Sequence, residues 1–145
     1  MTIGRICNRE VDTADPKEFV RAAAQRMGSR SVGTLLVLDA ARRPIGILTD
    51  RDIAIRVVGE GRDAHSTRVA DVMSADPRTV SDMAPVEDAI AIMRTHGVRR
   101  VPVVSPQGEL VGMITLDDVL SLLAEDLWSM RRVLEKSSPK VLAGA

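Results

Sequence analysis

Sliding the 145-residue chain against itself by 66 positions aligns residues 5–53 with 71–119 without a gap. Nine positions are then identical: Thr13/Thr79, Val20/Val86, Ala23/Ala89, Met27/Met93, Val32/Val98, Val37/Val103, Gly46/Gly112, Thr49/Thr115 and Asp52/Asp118. Unrelated stretches of that length match at roughly three positions on ordinary residue frequencies. Apolar character agrees where identity does not, as at Leu35/Val101, Ile45/Val111, Leu48/Ile114 and Ile53/Val119. An internal repeat constrains the architecture before any other feature, because whatever one copy folds into the other must fold into as well.

Each copy reads as helix, strand, strand, helix, preceded by a short extended piece near Thr13 or Thr79. The first helix is expected after Asp15-Pro16 and around Pro85, since proline suits a first helical turn where its missing N–H costs nothing. Its apolar face is Phe19, Val20, Ala23, Ala24 and Met27 in the first copy, and Val86, Ala89, Ile90 and Met93 in the second. Gly28 and Gly97 are the expected stops. Two short apolar runs separated by a polar turn follow, Thr34–Leu38 with Ile45–Leu48, and Val101–Val104 with Leu110–Ile114. Each pair reads as a hairpin, and a further helix is expected from Thr49 or Thr115.

The fold class is therefore α/β, with two small sheets flanked by helices and packed sheet to sheet about a pseudo-two-fold axis. A unit of some sixty residues has a marginal core alone, so two copies would bury what each exposes. The division expected is residues 1–66 for the first repeat with its linker, 67–137 for the second with an extended helix, and 138–145 as a loose tail. Phe19 and Trp128 are the only Phe, Tyr or Trp, so the core must be aliphatic.

With 20 basic and 20 acidic residues the formal charge is zero, which gives no global attraction to nucleic acid or membrane. No run approaches the roughly 20 apolar residues that span a bilayer. Met1–Glu10 lacks the apolar stretch of a signal peptide, and a cytoplasmic location is the expectation. Cys7 is the single cysteine, read as a small half-buried residue, so neither an intramolecular disulfide nor a multi-cysteine metal site is available. His65 and His96 are the only histidines and lack a nucleophile partner or metal-ligand spacing, so neither catalysis nor a metal is expected.

The pattern Gly-apolar-apolar-Thr-x-x-Asp occurs twice, as Gly46-Ile47-Leu48-Thr49-Asp50-Arg51-Asp52 and Gly112-Met113-Ile114-Thr115-Leu116-Asp117-Asp118. Thr followed three residues on by an acid at a strand-to-helix junction is also a capping box, which satisfies orphan helix N–H groups without any ligand. Together with the duplication and the order of elements, the motif resembles the CBS domain family, over residues 5–136. That resemblance implies a cleft between the repeats that takes an adenine nucleotide (AMP, ADP or ATP), with NAD or S-adenosylmethionine as alternatives. It implies that Asp52 and Asp118 accept hydrogen bonds from ribose hydroxyls and that Thr49 and Thr115 contact ribose or phosphate. The chemistry is sound, since a carboxylate offers two acceptors to a vicinal diol and a helix start offers N–H groups to phosphate. Adenine is expected near Thr13 or Thr79 and the first strand.

Arg99 and Arg100 precede the strand Val101–Val104, where the family often carries phosphate-contacting basic residues, and guanidinium suits that task. Their counterparts Gly33 and Thr34 are uncharged, with Thr34 retained as a candidate contact. The site of Thr115 and Asp118 is therefore expected to favour phosphorylated ligands more strongly. The last helix is expected to run from Thr115 to about Ser137, with Leu120, Leu123, Leu127, Met130 and Leu134 at alternating spacings of three and four. That seam either packs on its own module or, as the resemblance implies, joins a homodimer. The functional expectation is a sensor module, not an enzyme, read by a partner protein in trans. The competing reading is a dimeric scaffold with vestigial clefts.

Overall fold

The computed structural model describes residues 1–137. Residues 138–145, expected to form a loose tail, lie outside the described residues. The chain forms β1 (Thr13–Ala14), α1 (Val20–Arg30), β2 (Thr34–Leu38), β3 (Pro44–Thr49) and α2 (Asp50–Asp52), the last continuing as a wider π-type turn over Ile53–Val58. There follow α3 (Val69–Val72), β4 (Ser74–Ala75), β5 (Val80–Ser81), α4 (Val86–His96), β6 (Arg100–Val104), β7 (Leu110–Thr115) and α5 (Leu116–Lys136). A single helical turn, Ile3–Arg5, precedes them all.

The repeat is reproduced down to the strand register. Thr34 faces Thr49 and Val37 faces Gly46 across the first hairpin, while Arg100 faces Thr115 and Val103 faces Gly112 across the second. Both hairpins slip by a residue at the same point, between Val37/Leu38 and between Val103/Val104. β1 and β5 each add a short parallel edge strand. The two hairpins meet at equivalent places. Arg100 Nη1 donates to Thr34 Oγ1 at 3.0 Å, a contact between positions 66 apart that lies near the pseudo-two-fold axis. At the turn end Leu110 N–H donates to the Arg42 carbonyl at 2.9 Å.

The helices follow the expected faces with four corrections. α1 begins at Val20, not directly after Pro16, because Asp15 and Glu18 close the preceding turn through side-chain bonds to backbone N–H groups. Phe19 is the N-cap and is 41% exposed, stacked under Arg68 at 4.9 Å, instead of joining Val20, Ala23 and Met27 in the core. Gly28 lies inside the helix, which stops at Ser31 with φ 54°, the position equivalent to Gly97 with φ 64°. Both ends need a left-handed residue, and only the second copy supplies the glycine that adopts it without strain. Ile90 in α4 is likewise 39% exposed, so that helix buries only Val86, Ala89 and Met93.

The two cores are aliphatic, and they are interleaved. One gathers Ala14, Val20, Ala23, Met27, Leu35, Val37, Leu48 and Val57, and it also takes Val69 and Val72 from beyond the linker. The other gathers Val80, Val86, Ala89, Met93, Val101, Val103, Ile114 and Val119, with Ile3 from the N-terminal turn. Each core thus takes residues from the other repeat, Val69 and Val72 in one and Ile3 in the other. β4 pairs with β3, placing Ala75 opposite Gly46 and Ser74 opposite Ile47. Its equivalent is the pair Asn8–Met113, which exchange two backbone hydrogen bonds at 2.9 and 2.8 Å. Each repeat therefore lends its leading segment to the sheet of the other, covering an edge that would stay open.

That exchange explains the motif glycines. A Cβ on Gly112 would sit 2.5 Å from the Asn8 carbonyl oxygen and 3.0 Å from Cys7 Sγ. A Cβ on Gly46 would meet the Met73 side chain, with Sδ at 2.3 Å. Glycine in a strand here marks close approach of a second backbone at Gly112 and of the Met73 side chain at Gly46. Gly112→Ala is expected to cost about 1–3 kcal/mol, because fixed backbone must move. Gly46→Ala should cost less, since Met73 can swing aside. Ser31→Gly should be neutral or stabilise by up to about 1 kcal/mol by relieving the left-handed strain. Urea unfolding of the three variants checks this order.

Candidate functional site

Both motif copies form the capping box. Thr49 Oγ1 accepts from Asp52 N–H at 3.1 Å while Asp52 Oδ2 accepts from Thr49 N–H at 2.9 Å. The Thr115–Asp118 pair has the same two distances. Each strand therefore turns into its helix with orphan N–H groups satisfied, and each carboxylate is fixed in orientation by one oxygen. The other oxygen differs between copies. Asp52 Oδ1 lies 3.8 Å from Arg56, one helical turn on, and Arg56 also donates to the Val72 carbonyl at 2.8 Å. The position equivalent to Arg56 is Leu122, and among the described residues no hydrogen bond or ion pair engages Asp118 Oδ1.

Asp118 opens onto a cleft of about 170 Å³ between the repeats, lined also by Thr34, Arg100, Thr115, Asn8, Glu10 and Asp12. Val11, Val32, Leu36 and Met113 supply an apolar wall. One side is the hairpin end of the first repeat, and the other is the strand-to-helix junction of the second. The roof is the strap Asn8–Asp12, which runs from its bridge on Met113 back to β2, where Leu36 N–H donates to the Asp12 carbonyl at 3.0 Å. Arg100 is held toward the axis by its bond to Thr34. Asp12 is paired with Arg30 at 2.8 Å, and that hydrogen bond holds the Arg30 guanidinium above its usual range. Glu10 and Asp118 are thus the lining carboxylates without an ion-pair partner among the described residues, against one cation, Arg100.

Of the candidates named from sequence, the structure brings Thr34, Arg100, Thr115 and Asp118 to this one cleft. It does not bring Arg99 there. That side chain lies on the surface, 3.4 Å from Asp117, while its backbone carbonyl accepts from Leu116 N–H. Thr13 sits in β1 opposite Leu36 and does not line the cleft, although its neighbours Val11 and Asp12 do. Thr79 precedes β5, and Thr49 and Asp52 cap α2 in the other repeat. The expectation that this site favours phosphorylated ligands meets an acidic lining, so the single arginine has limited excess charge to offer. Sequence reasoning missed Asn8, Glu10, Val11 and Asp12 as lining residues. The signal was in the repeat, since Asn8 and Ser74 stand 66 apart and a partner for each had to be sought in the opposite copy.

The remaining titratable candidates lie elsewhere. His65 is exposed beside Asp63, and His96 ends α4 in solvent. Cys7 is half-buried, and burial pushes its thiol above the ordinary range. Among the described residues no three His, Cys, Asp or Glu are grouped to hold a metal ion. Nor is any described helix long and apolar enough to cross a membrane.

The family model for the CBS domain matches residues 3–59 and 69–125. The chain is 37% identical to the CBS domain-containing protein YhcV of Bacillus subtilis over 76% of both chains. It is 32% identical to the uncharacterized protein MK0525 of Methanopyrus kandleri over 84% of its own length, and spans 62% of that protein. Among solved structures, Hypoxic Response Protein I with two coordinated zinc ions superposes with a TM-score of 0.75 at 32% identity. That match covers 83% of this chain and 98% of the other. The CBS domain protein PAE2072 from Pyrobaculum aerophilum, complexed with AMP, gives a TM-score of 0.71 at 28% identity, covering 81% and 89%. With two matched domains, one fold and paired motif copies at the repeat junctions, the chain belongs to the CBS domain family and carries a tandem pair of CBS domains.

Proposed function

We propose that this CBS pair is a regulatory module, not a catalyst, which binds an adenine nucleotide in the cleft of Thr34, Arg100, Thr115 and Asp118. One observation carries the reading: a carboxylate with an oriented but unengaged oxygen, Asp118, shares a cleft with a guanidinium held by a single neutral hydroxyl. The AMP complex of PAE2072 supports the ligand class. In this reading Asp118 Oδ1 accepts from the ribose diol, and the apolar wall of Val11, Val32, Leu36 and Met113 receives the base. Arg100 leaves Thr34 for the phosphate, exchanging a neutral acceptor for a charged one and so gaining strength.

The same exchange links occupancy to shape. Arg100–Thr34 joins the two repeats near their axis, so a ligand that recruits Arg100 replaces a direct contact by one through itself. Occupancy then favours whichever arrangement of the repeats fits the nucleotide, by no more than the difference in affinity for the two. A protein partner would read that arrangement. Charge sets the preference within the class. Each further phosphate adds negative charge beside Glu10, which favours AMP over ADP and ADP over ATP.

Calorimetric titration with AMP, ADP, ATP, NAD and S-adenosylmethionine tests this on protein freed of carried-over nucleotide. AMP should bind more tightly than ATP, and Asp118→Asn, which keeps the cap acceptor, should weaken AMP by about tenfold or more. Absence of heat and of any ligand-dependent rise in melting temperature would leave the scaffold reading. Glu10→Gln should narrow the gap between AMP and ATP several-fold while leaving the AMP affinity nearly unchanged.

A further inference from the structure

The two strand-to-helix junctions correspond residue by residue at an offset of 66, so the cleft beside Asp118 says what should surround Asp52. The apolar wall of Val11, Val32, Leu36 and Met113 has Pro77, Val98, Pro102 and Ile47 as its counterparts, all of them apolar. Glu10 has another acid, Asp76, while Thr34 and Arg100 are each other's counterparts and meet between the hairpins. Arg78 stands where Asp12 stands in the first strap, a change that favours an anionic ligand. The capping boxes have the same two distances. In recognition chemistry the junction at Asp52 thus lacks little that the one at Asp118 possesses, except a free carboxylate oxygen.

Arg56 makes that difference. Its guanidinium lies 3.8 Å from Asp52 Oδ1, the oxygen that the cap leaves over. It also donates to the Val72 carbonyl at 2.8 Å and reaches Ser74 Oγ at 3.4 Å. Ser74 stands where Asn8 stands at the other junction, and Asn8 and Asp118 both line the open cleft. The guanidinium therefore bridges the two sides between which a ligand would enter, the helix start and the strap. Val72 is buried, so moving Arg56 aside would strip its carbonyl of this donor. At the open junction the corresponding residue, Leu122, has no polar side-chain atom and does not line the cleft.

We propose that Arg56 is a built-in occupant of the second junction, satisfying Asp52 in place of a ribose diol, so that each chain takes one nucleotide and not two. The inference rests on the nucleotide reading of the Asp118 cleft and goes beyond it by assigning the number of ligands to one side chain. A charged donor binds a carboxylate oxygen more strongly than a neutral hydroxyl does. Rooted four residues along the same helix face, Arg56 also loses no translational freedom in binding, whereas a nucleotide must.

Exchanging the two residues tests this by calorimetric titration with AMP. The wild type should bind one AMP per chain. Arg56→Leu, which copies the open junction, should bind two, and Asp52→Asn in that background should return the count to one. Leu122→Arg, which copies the occupied junction, should weaken AMP binding by about tenfold or more. Circular dichroism melting shows whether each variant folds. Arg56→Gln, which keeps a donor for the Val72 carbonyl, serves the same purpose if the leucine variant does not. A folded Arg56 variant that still binds one AMP, a wild type that binds two, or undiminished affinity in Leu122→Arg would overturn the inference and leave the nucleotide reading standing. Absence of AMP binding by the wild type and by every variant would overturn that reading, and the inference with it.

Discussion

The exchange of leading segments between the repeats is the constraint on which the rest of the molecule depends. Asn8 bonds twice to Met113, and β4 bonds to β3 in the equivalent place. Ile3 fills the core of one half while Val69 and Val72 fill the core of the other. Neither hairpin has both edges covered until the opposite repeat has contributed, so the halves should fold as one cooperative unit. The glycines at 46 and 112 follow from the same fact, because the exchanged segments, the Asn8 backbone at Gly112 and the Met73 side chain at Gly46, pass where a Cβ would stand. So does the cleft, whose roof is the strap by which the first segment returns from its loan.

The Thr–Asp motif answers to two demands at once. As a capping box it ends a strand, starts a helix and consumes one carboxylate oxygen. Capping also fixes where the second oxygen points, so the feature that stabilises the helix prepares an acceptor without further cost in side-chain freedom. The copies separate on this oxygen. Arg56 occupies the vicinity of Asp52 and ties it to the Val72 carbonyl, whereas Leu122 leaves Asp118 to the cleft. A pair of identical motifs thus yields two inequivalent environments through one substitution a helical turn away.

The period, the helix–strand–strand–helix order, both hairpins and both caps were legible in the residues, because each rests on local pattern; the hairpin registers were not read from sequence. The four cleft residues Thr34, Arg100, Thr115 and Asp118 were legible as candidates, since two lie in the motif and two at equivalent strand starts. What sequence did not reveal is non-local. Nothing in Met1–Asp12 says that it crosses to the far sheet, and so Asn8 and Glu10 went unread as lining. Phe19 was placed in the core on helical spacing, but Arg68 offered its ring a surface partner. Gly28 drew attention as a helix stop, although the repeat itself pointed to Ser31 through Gly97. The contrast of Arg56 with Leu122 lies three positions past the aligned segments at the same offset of 66, and it becomes meaningful only once Asp52 and Asp118 are seen to face different neighbours.

A lone copy of the repeat could not close its own sheet, since its leading segment is built to reach a neighbour. Two such copies would satisfy each other through the same two-fold operation and leave nothing open for a third. The tandem chain is in that sense a symmetric dimer written into one polypeptide, with its association made independent of concentration. Joining the copies also releases them from symmetry. In a dimer of identical chains every change appears twice, whereas here Thr34 can face Arg100, and Leu122 can replace Arg56 on one side alone. One junction is then free to specialise in recognition while the other is held to the task of keeping the pair together.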